Sequence, residues 1–129
     1  MFIEIDLNKP VPIFNQIMDG VRLAVATGRI VPGDRIPSIR DLAVELRVNP
    51  NTVAKAYQEL ERSGLVSVKR GMGYFVSESD NGQVSQRERH ALFTNLVDDL
   101  LASGIALGLD AEELRRLIEK RLERLEEGS

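Results

Sequence analysis

The side chains best suited to bind a partner molecule lie between residues 37 and 65. A polar, partly basic stripe recurs there at helical spacing and consists of Asn51, Lys55, Gln58 and Arg62. Amide and cationic side chains on one helix face can hydrogen bond to base edges and phosphates. Charged outer faces are also common on ordinary surface helices, so this stripe alone leaves a solvated helical hairpin as an alternative.

Two short helices are predicted to position this stripe. The first begins at the N-cap Ser38, and its apolar face is formed by Ile39, Leu42, Ala43 and Leu46. The second has Asn49 as N-cap, Pro50 at its first position and Gly64 at its end. Its apolar face is formed by Val53, Ala56, Tyr57 and Leu60. Two helices joined by about three residues are typical of a helix-turn-helix, whose second helix enters the major groove.

A hairpin is predicted directly after these helices. Residues 65–70 and 74–76 are strand-like, and the Gly-Met-Gly run at 71–73 permits a tight turn between them. Lys69 and Arg70 lie beside the tip, where their charges suit a phosphate backbone or a minor groove. A helix-turn-helix followed at once by a basic hairpin predicts a winged helix.

A further helix is predicted before this motif as its scaffold. Its apolar face is formed by Ile13, Ile17, Val21 and Ala24, and Thr27 and Gly28 end it. Residues 28–37 are punctuated by Pro and Gly, which indicates a loop that directs Arg35 toward the DNA side. Residues 2–6 alternate apolar and acidic side chains, which indicates a short strand or an extended arm.

Three spaced motifs in this region resemble the hallmark of GntR-type bacterial transcription regulators. They are residues 28–43 (GRIVPGDRIPSIRDLA), residues 48–53 (VNPNTV) and residues 70–76 (RGMGYFV). The resemblance covers about residues 10 to 77 and implies a winged helix-turn-helix that binds DNA. Arg47 departs from the family, which often carries Gly at the turn between the two helices. Glycine suits a left-handed backbone, so with Arg47 we expect a turn that is either slightly strained or differently shaped.

The composition limits the possible classes of protein. The chain has 129 residues and no cysteine, which excludes disulfides and thiolate metal sites and fits a reducing cytosol. No apolar run reaches the roughly 20 residues of a membrane span, and no signal-peptide pattern is present, so we expect a cytoplasmic protein without membrane contact. Residues 1–77 carry 10 Lys or Arg and 8 Asp or Glu, a net charge of +2. Residues 78–129 carry 7 and 12, a net charge of −5, so DNA binding is expected of the first part only.

The predicted architecture is mainly α-helical with a small β wing. It consists of a winged helix-turn-helix domain at 1–77, a polar linker at 78–84 and a two-helix dimerisation segment at 85–129. Within the last segment, a helix is expected from about Ser85 to Ser103, followed by a break at 104–109. Asp110 and Glu113 then form a variant of the capping box for the second helix.

The two C-terminal helices are too small to bury both of their apolar faces against each other. We expect the excess to meet a second copy of the chain through a two-fold symmetric interface. Folding back onto the winged helix is the alternative. Within the resemblance, so short a C-terminal segment is similar to the YtrA-type subgroup.

Nine residues are expected to contact DNA: Arg35, Ser38, Arg40, Asn49, Asn51, Thr52, Lys55, Arg70 and Gly71. The guanidinium of Arg40 can bind a guanine edge or a phosphate with two hydrogen bonds, unless it pairs with Asp41 or Glu45. Asn49 serves equally well as a plain helix cap. The family resemblance itself places DNA contacts at Arg40, Asn51, Thr52, Lys55, Arg70 and Gly71.

Catalysis and cofactor binding are not expected. His90 is the only histidine and there is no cysteine, so no nucleophile–histidine pair has a supported position. The glutamates after residue 110 alternate with Lys and Arg, which is typical of a solvated helix face and gives no metal-ligand spacing. The glycines at 71 and 73 precede no helix and are not a nucleotide fingerprint.

The sequence therefore predicts a homodimeric, sequence-specific transcription regulator. The family resemblance implies a repressor that acts on an inverted-repeat operator. The alternative is a winged-helix module that binds protein rather than DNA. A small-molecule effector of unknown identity is left open, and a groove beside Phe93 and Leu96 is where we would expect it.

Overall fold

The structure is a computed structural model that describes residues 3–78 and 84–128. Its elements in chain order are α1 (Ile13–Ala26), β1 (Arg35–Ile36), α2 (Ile39–Leu46), α3 (Pro50–Arg62), β2 (Val66–Lys69), β3 (Gly73–Val76), α4 (Gln86–Ala106) and α5 (Ala111–Glu127). The prediction of a mainly α-helical chain with a small β wing is confirmed. The chain divides into two units, Met1–Arg89 and His90–Ser129. The predicted linker at 78–84 includes residues 79–83, which lie outside the described residues.

The core of the first unit is formed by the apolar faces of α1, α2 and α3. Both α1 and α2 pack against α3. The side chains of Ile17, Leu42 and Leu60 are completely buried there, as the helical spacing predicted. Each such side chain stabilises the fold by roughly 1.5–3 kcal/mol relative to an exposed one. The buried stripe of α3 therefore fixes which of its faces remains open.

The helix ends follow the predicted capping residues. Ser38 Oγ accepts a hydrogen bond from the Asp41 N–H at 3.0 Å, and Asn49 Oδ1 accepts one from the Asn51 N–H at 2.8 Å. Both N-cap predictions are confirmed. Arg47 ends α2 with φ 59° and ψ 47°, so of the two alternatives for this turn the structure has the left-handed one. This region costs a non-glycine residue roughly 1–2 kcal/mol.

The wing belongs to a three-stranded antiparallel sheet with the order β1-β3-β2. The predicted hairpin pairs Val66 with Val76 and Lys69 with Gly73. The expectation that residues 28–37 form only a loop is wrong, because Arg35 and Ile36 pair with β3 as a third strand. A strand this short is stabilised by its pairing with β3 and by burial of Ile36, which a local pattern does not reveal.

The N-terminal segment forms an extended arm and no strand over the described residues 3–6. The side chain of Gln16 holds it in place: Nε2 donates to the Asp6 and Val11 carbonyl oxygens at 3.0 and 2.9 Å, and Oε1 accepts from the Asp6 N–H at 2.8 Å. Ile3 is buried beside Gly20, where an added Cβ would come within 3.0 Å of Ile3 Cγ2. The arm is thus part of the first unit's core.

The second unit contains most of α4 and all of α5. Helix α4 continues to Ala106, three residues beyond the expected end, because Gly104 lies buried inside the helix rather than in the turn. The turn falls at Gly108, which has φ +89°. Asp110 Oδ1 accepts a hydrogen bond from the Glu113 N–H at 2.8 Å, so the predicted cap of α5 is confirmed.

Close helix packing in this unit is limited to one crossing. A Cβ at Gly104 would collide with the side chain of Leu114, the one buried residue of α5 among those described. Leu92 is also buried, but nine other large apolar side chains of the hairpin are exposed: Phe93, Leu96, Leu100, Ile105, Leu107, Leu117, Ile118, Leu122 and Leu125. The hairpin therefore leaves most of its apolar surface uncovered.

Candidate nucleic-acid interface

The outward face of α3 carries the side chains that the sequence singled out. Asn51, Lys55 and Gln58 are exposed and Thr52 is half-buried, whereas Val53 on the inner face is completely buried. The backbone N–H groups of the first turn of α3 are already bonded: that of Asn51 to Asn49 Oδ1 at 2.8 Å and that of Thr52 to the Asn49 carbonyl at 3.0 Å. The amide and hydroxyl side chains of this turn are therefore the groups that can bind phosphate oxygens and reach base edges.

The two capping residues have part of their hydrogen-bonding capacity already in use. The Oδ1 of Asn49 and the Oγ of Ser38 each accept a backbone N–H of their own helix. The Asn49 amide group and the Ser38 hydroxyl can still donate to a phosphate. Capping and DNA contact are therefore compatible at both positions.

Arg40 lies on the first turn of α2 and is exposed. Within the described residues it makes no hydrogen bond or ion pair, so neither Asp41 nor Glu45 occupies its guanidinium. A guanidinium without an internal partner can bind a guanine edge or a phosphate with two parallel hydrogen bonds. Its availability removes the alternative of an ion-paired surface arginine.

Lys55 is held by an aromatic ring that sequence reasoning did not connect with it. Its Nζ lies 4.7 Å from the centre of the Phe14 ring on α1. An ammonium over an aromatic face is attracted by roughly 0.5–1 kcal/mol at an exposed site. Phe14 thus restricts where the charge of Lys55 lies on the outer face of α3.

The wing tip consists of Arg70, Gly71 and Met72, and all three are exposed. The Met72 N–H donates to the Lys69 carbonyl at 2.9 Å, and Gly71 has φ +77°, which residues with a side chain rarely adopt. Lys69 Nζ lies 4.6 Å from the centre of the Phe75 ring, so this cation is held along the strand. Arg70 is then the cation of the tip itself.

Arg35 lies at the base of the wing. It pairs with Phe75 across the sheet, and a Cβ added at Gly73 would lie 3.4 Å from Arg35 Nε. The guanidinium therefore extends over the backbone of β3. Of the nine predicted contacts, the structure places six on or beside α2 and α3, and the other three, Arg35, Arg70 and Gly71, on the sheet and wing.

Tyr57 connects these elements, and its hydroxyl was missed as a functional group. The side chain is completely buried, its hydroxyl donates to the Pro37 carbonyl at 2.7 Å, and its ring meets Tyr74 edge-on at 4.9 Å. Burial, with a smaller contribution from Tyr74, raises the pKa of the Tyr57 phenol well above its usual value. A tyrosine on an otherwise aliphatic face was the available signal, because a buried phenol requires a hydrogen-bond partner.

Two other features are not present in the described part of the chain, namely a metal-binding cluster and a membrane-spanning helix. Residues 3–78 and 84–128 contain no cluster of three or more His, Cys, Asp or Glu side chains that could hold a metal ion. None of the described helices combines the length and the apolar character needed to cross a bilayer.

Comparison with known proteins agrees with this geometry. The profile of "Bacterial regulatory proteins, gntR family" matches residues 14–76. The HTH-type transcriptional repressor YtrA of Bacillus subtilis (strain 168) is 33% identical over 118 residues, which are 92% of this chain and 90% of that protein.

Solved structures show the same fold. YtrA from Sulfolobus acidocaldarius, a GntR-family transcription factor, has 33% identity and a TM-score of 0.58 over 82% of this chain and 99% of its own. The DNA-binding domain of AraR, in complex with operator ORX1, has 26% identity and a TM-score of 0.54 over 60% of this chain and 99% of its own. The latter match covers a domain that was crystallised on DNA.

These findings confirm the family resemblance and agree with the expectation that the chain is not an enzyme, since the relatives are named as transcription regulators. A relative that matches nearly the whole chain extends the similarity beyond the winged helix to the C-terminal helices. The chain belongs to the gntR family of bacterial regulatory proteins, as a YtrA-type transcription regulator with a winged-helix DNA-binding domain.

Proposed function

We propose that the protein is a homodimeric repressor that binds an inverted-repeat operator. The observation that supports DNA reading is the outward face at the start of α3, with Asn51 and Lys55 exposed, together with Arg40, which has no partner among the described residues. A relative named as a repressor supports the direction of regulation. A bacterial repressor must reach chromosomal DNA, which lies in the cytoplasm, so we also propose a cytoplasmic location.

Within this proposal the predicted residues have separate roles. Arg40, Asn51 and Thr52 read bases, because they lie where α2 and α3 begin and their groups match base edges. Lys55 and Arg70 bind the phosphate backbone, which gives affinity without sequence preference. Four further residues add positioning contacts to the phosphate backbone of DNA: Arg35, Ser38, Asn49 and Gly71. A Cβ added at Gly71 would meet no atom within 4 Å, so the space beside this residue is open.

The dimer is proposed to form through the hairpin of α4 and α5. An open apolar groove of about 570 Å³ lies between the two helices and is lined by Leu101, Ile105, Leu114, Ile118 and Leu122, among others. Exposed apolar surface of this extent on a small protein marks an interaction site. A second copy supplies the same apolar side chains in return, because a two-fold interface is self-complementary.

Two-fold symmetry then determines the form of the operator. Two recognition helices related by a two-fold axis read half-sites of opposite orientation, about one helical turn of DNA or roughly 34–36 Å apart. Each half-site alone provides few contacts, and the mildly basic first unit gives weak non-specific attraction. Affinity at physiological salt therefore requires both halves.

Selection of bound sequences from a random DNA pool tests the proposal. The full chain should enrich an inverted repeat, and Arg40→Ala should weaken binding to it by about 1–3 kcal/mol. Arg62→Ala is the matched control, because Arg62 lies on the last turn of α3 and pairs with Glu59 at 2.9 Å. Enrichment of no sequence would leave the protein-binding module as the better explanation.

Sedimentation velocity tests the dimer. Leu122→Glu places a charge in the groove and should yield monomers, whereas Leu107→Glu, at an exposed position that does not line the groove, should leave the dimer intact. A dimer that survives the change at Leu122 would place the interface elsewhere.

A further inference from the structure

The turn between α2 and α3 carries an exposed cation, Arg47. It ends α2 and lies two residues before Asn49, the N-cap of α3. Within the described residues its side chain makes no hydrogen bond or ion pair. In this part of the chain nothing competes for its guanidinium, which is therefore open to a partner from outside the protein.

The backbone at this position suits glycine better than arginine. Arg47 has φ 59° and is the one non-glycine residue with a positive φ among residues 3–78 and 84–128. A side chain is strained in this conformation, and such strain is concentrated at functional sites. The Arg47 N–H donates to the Val44 carbonyl at 3.3 Å, a bond that glycine would make equally well. The hydrogen bonding of the turn therefore does not explain why an arginine is present.

Arg47 lies on the same side of α2 as Arg40. The two residues are seven positions apart, close to two helical turns, and the exposed Val44 lies between them. Leu42, on the opposite side of the helix, is completely buried. The outward side of α2 thus carries one unpaired arginine at its first turn and another at its end, about 10 Å apart along the helix axis.

The location of Arg47 favours a phosphate over a base edge. The first helix of a helix-turn-helix crosses the phosphate backbone, whereas the start of the second helix meets the base edges. Arg47 belongs to the end of α2, the first helix, and precedes the N-cap of α3. A guanidinium can bind a phosphate with two charge-assisted hydrogen bonds.

We propose that Arg47 is a further DNA-binding residue that binds one phosphate beside the half-site read by α3. This inference rests on the proposed binding of a homodimer to an inverted-repeat operator. The contact between the guanidinium and the phosphate offsets, in the complex, the strain that Arg47 imposes on the free protein. Contacts of this kind hold the protein in register on the duplex and carry no sequence preference.

The proposal requires stability and DNA affinity to change in opposite directions. Arg47→Gly removes the strain together with the cation, so the free protein should become more stable while its complex with DNA becomes weaker. A substitution that merely damaged the fold would lower both quantities. An arginine without a DNA contact would gain stability on this change and lose no affinity.

Two further variants and a control separate the charge from the backbone conformation. Arg47→Gln removes the charge and keeps a side chain on the left-handed backbone, and Arg47→Lys keeps both the charge and the strain. Arg62→Gln is the matched control, because it removes one charge from the same unit. Arg62 lies on the last turn of α3 and pairs with Glu59 at 2.9 Å.

The affinity of the full chain for the selected operator is measured over a range of salt concentrations. Arg47→Gly and Arg47→Gln should each bind at least about tenfold more weakly than the wild type at low salt. The slope of log affinity against log salt should become less steep by about 1.8, because each of two protomers loses one phosphate contact. Arg47→Lys should keep a slope close to that of the wild type, and Arg62→Gln should keep both affinity and slope.

Operators with single neutral methylphosphonates then locate the contact. Each phosphate of the half-site is replaced in turn, and affinity is measured for the wild type and for Arg47→Gln. At one position the replacement should weaken binding of the wild type and leave Arg47→Gln unaffected, because that variant has already lost the partner group.

Unchanged affinity and salt slope in both Arg47→Gly and Arg47→Gln would overturn the inference. So would a methylphosphonate scan in which the wild type and Arg47→Gln lose the same factor at every position. A wild-type chain that enriches no operator would instead refute the proposed function, and the inference with it.

Discussion

Replacement of Tyr57 by phenylalanine tests how the DNA-binding unit is held together. The change removes only the hydroxyl that donates to the Pro37 carbonyl at 2.7 Å, while the ring can keep its edge-on contact with Tyr74. A part-buried carbonyl left without its partner costs about 1–3 kcal/mol. We expect Tyr57→Phe to lower the free energy of unfolding by about 1.5 kcal/mol and the melting temperature by about 6–12 °C.

The pH dependence gives a second readout of the same hydroxyl. The pKa of the Tyr57 phenol is raised by burial and, to a lesser extent, by Tyr74, so the folded state favours the protonated phenol. The resulting stability is fully present below the unfolded-state pKa of about 10 and is lost as the pH rises above it. Because the phenylalanine variant has no phenolic proton to lose at this position, the stability gap between wild type and Tyr57→Phe should narrow above about pH 10.

Urea titrations at neutral pH and at several alkaline pH values measure both effects. Tyr74→Phe is the matched control, because the Tyr74 hydroxyl makes no hydrogen bond within residues 3–78 and 84–128, and it should change stability by less than about 0.5 kcal/mol. A Tyr57→Phe variant that unfolds at the wild-type urea midpoint, with a gap that does not vary with pH, would refute the reasoning.

Three further predictions concern the Arg47 turn, the Gly104 helix crossing and the contact between Lys55 and Phe14. Arg47→Gly removes the steric strain of a left-handed backbone at φ 59° and should stabilise the first unit by about 0.5–1 kcal/mol in urea unfolding. Arg40→Gly is the control: it places glycine inside a helix and should destabilise the same unit by about 1 kcal/mol. Gly104→Ala introduces a methyl group that collides with Leu114, and sedimentation should show a weakened dimer, whereas Ser103→Ala at the exposed neighbouring position should leave the dimer unchanged. Lys55→Met and Phe14→Leu should show a coupling of about 0.5–1 kcal/mol in a double-mutant cycle on stability, because they share one cation–ring contact. Additive effects of these two changes would mean that the ring does not hold the ammonium.

Local chemistry explains most of what the sequence predicted correctly. An N-cap such as Ser38 or Asn49 acts on a backbone N–H two or three residues away, so its signal lies within the motif itself. The family's preference for glycine indicated an unusual turn at Arg47 but left open whether it would be left-handed or differently shaped. The main helices required only the spacing of apolar side chains.

The features that were missed depend on partners far apart in the chain. Strand β1 exists because Arg35 and Ile36 pair with β3, which lies much later in the chain, and neither residue type indicates that pairing. The Tyr57 hydroxyl finds its acceptor at Pro37, and Arg22 meets Glu88 across most of the first unit. The turn of the C-terminal hairpin was misplaced because Gly104 serves a helix crossing and Gly108 makes the turn.

The short strand β1 gives the wing a second attachment. Strand β3 is bonded on both edges, and its register is continued by Gly33 N–H to the Val76 carbonyl and Val76 N–H to the Asp34 carbonyl, both at 2.8 Å. The hairpin is thus anchored along its length, and its free end is only residues 70–72. Under the proposed function, a longer or shorter end would change how far the wing extends along a duplex while leaving the packed core untouched. The reach of the wing can therefore vary independently of the stability of the first unit, provided that the tight turn at Gly71 is kept.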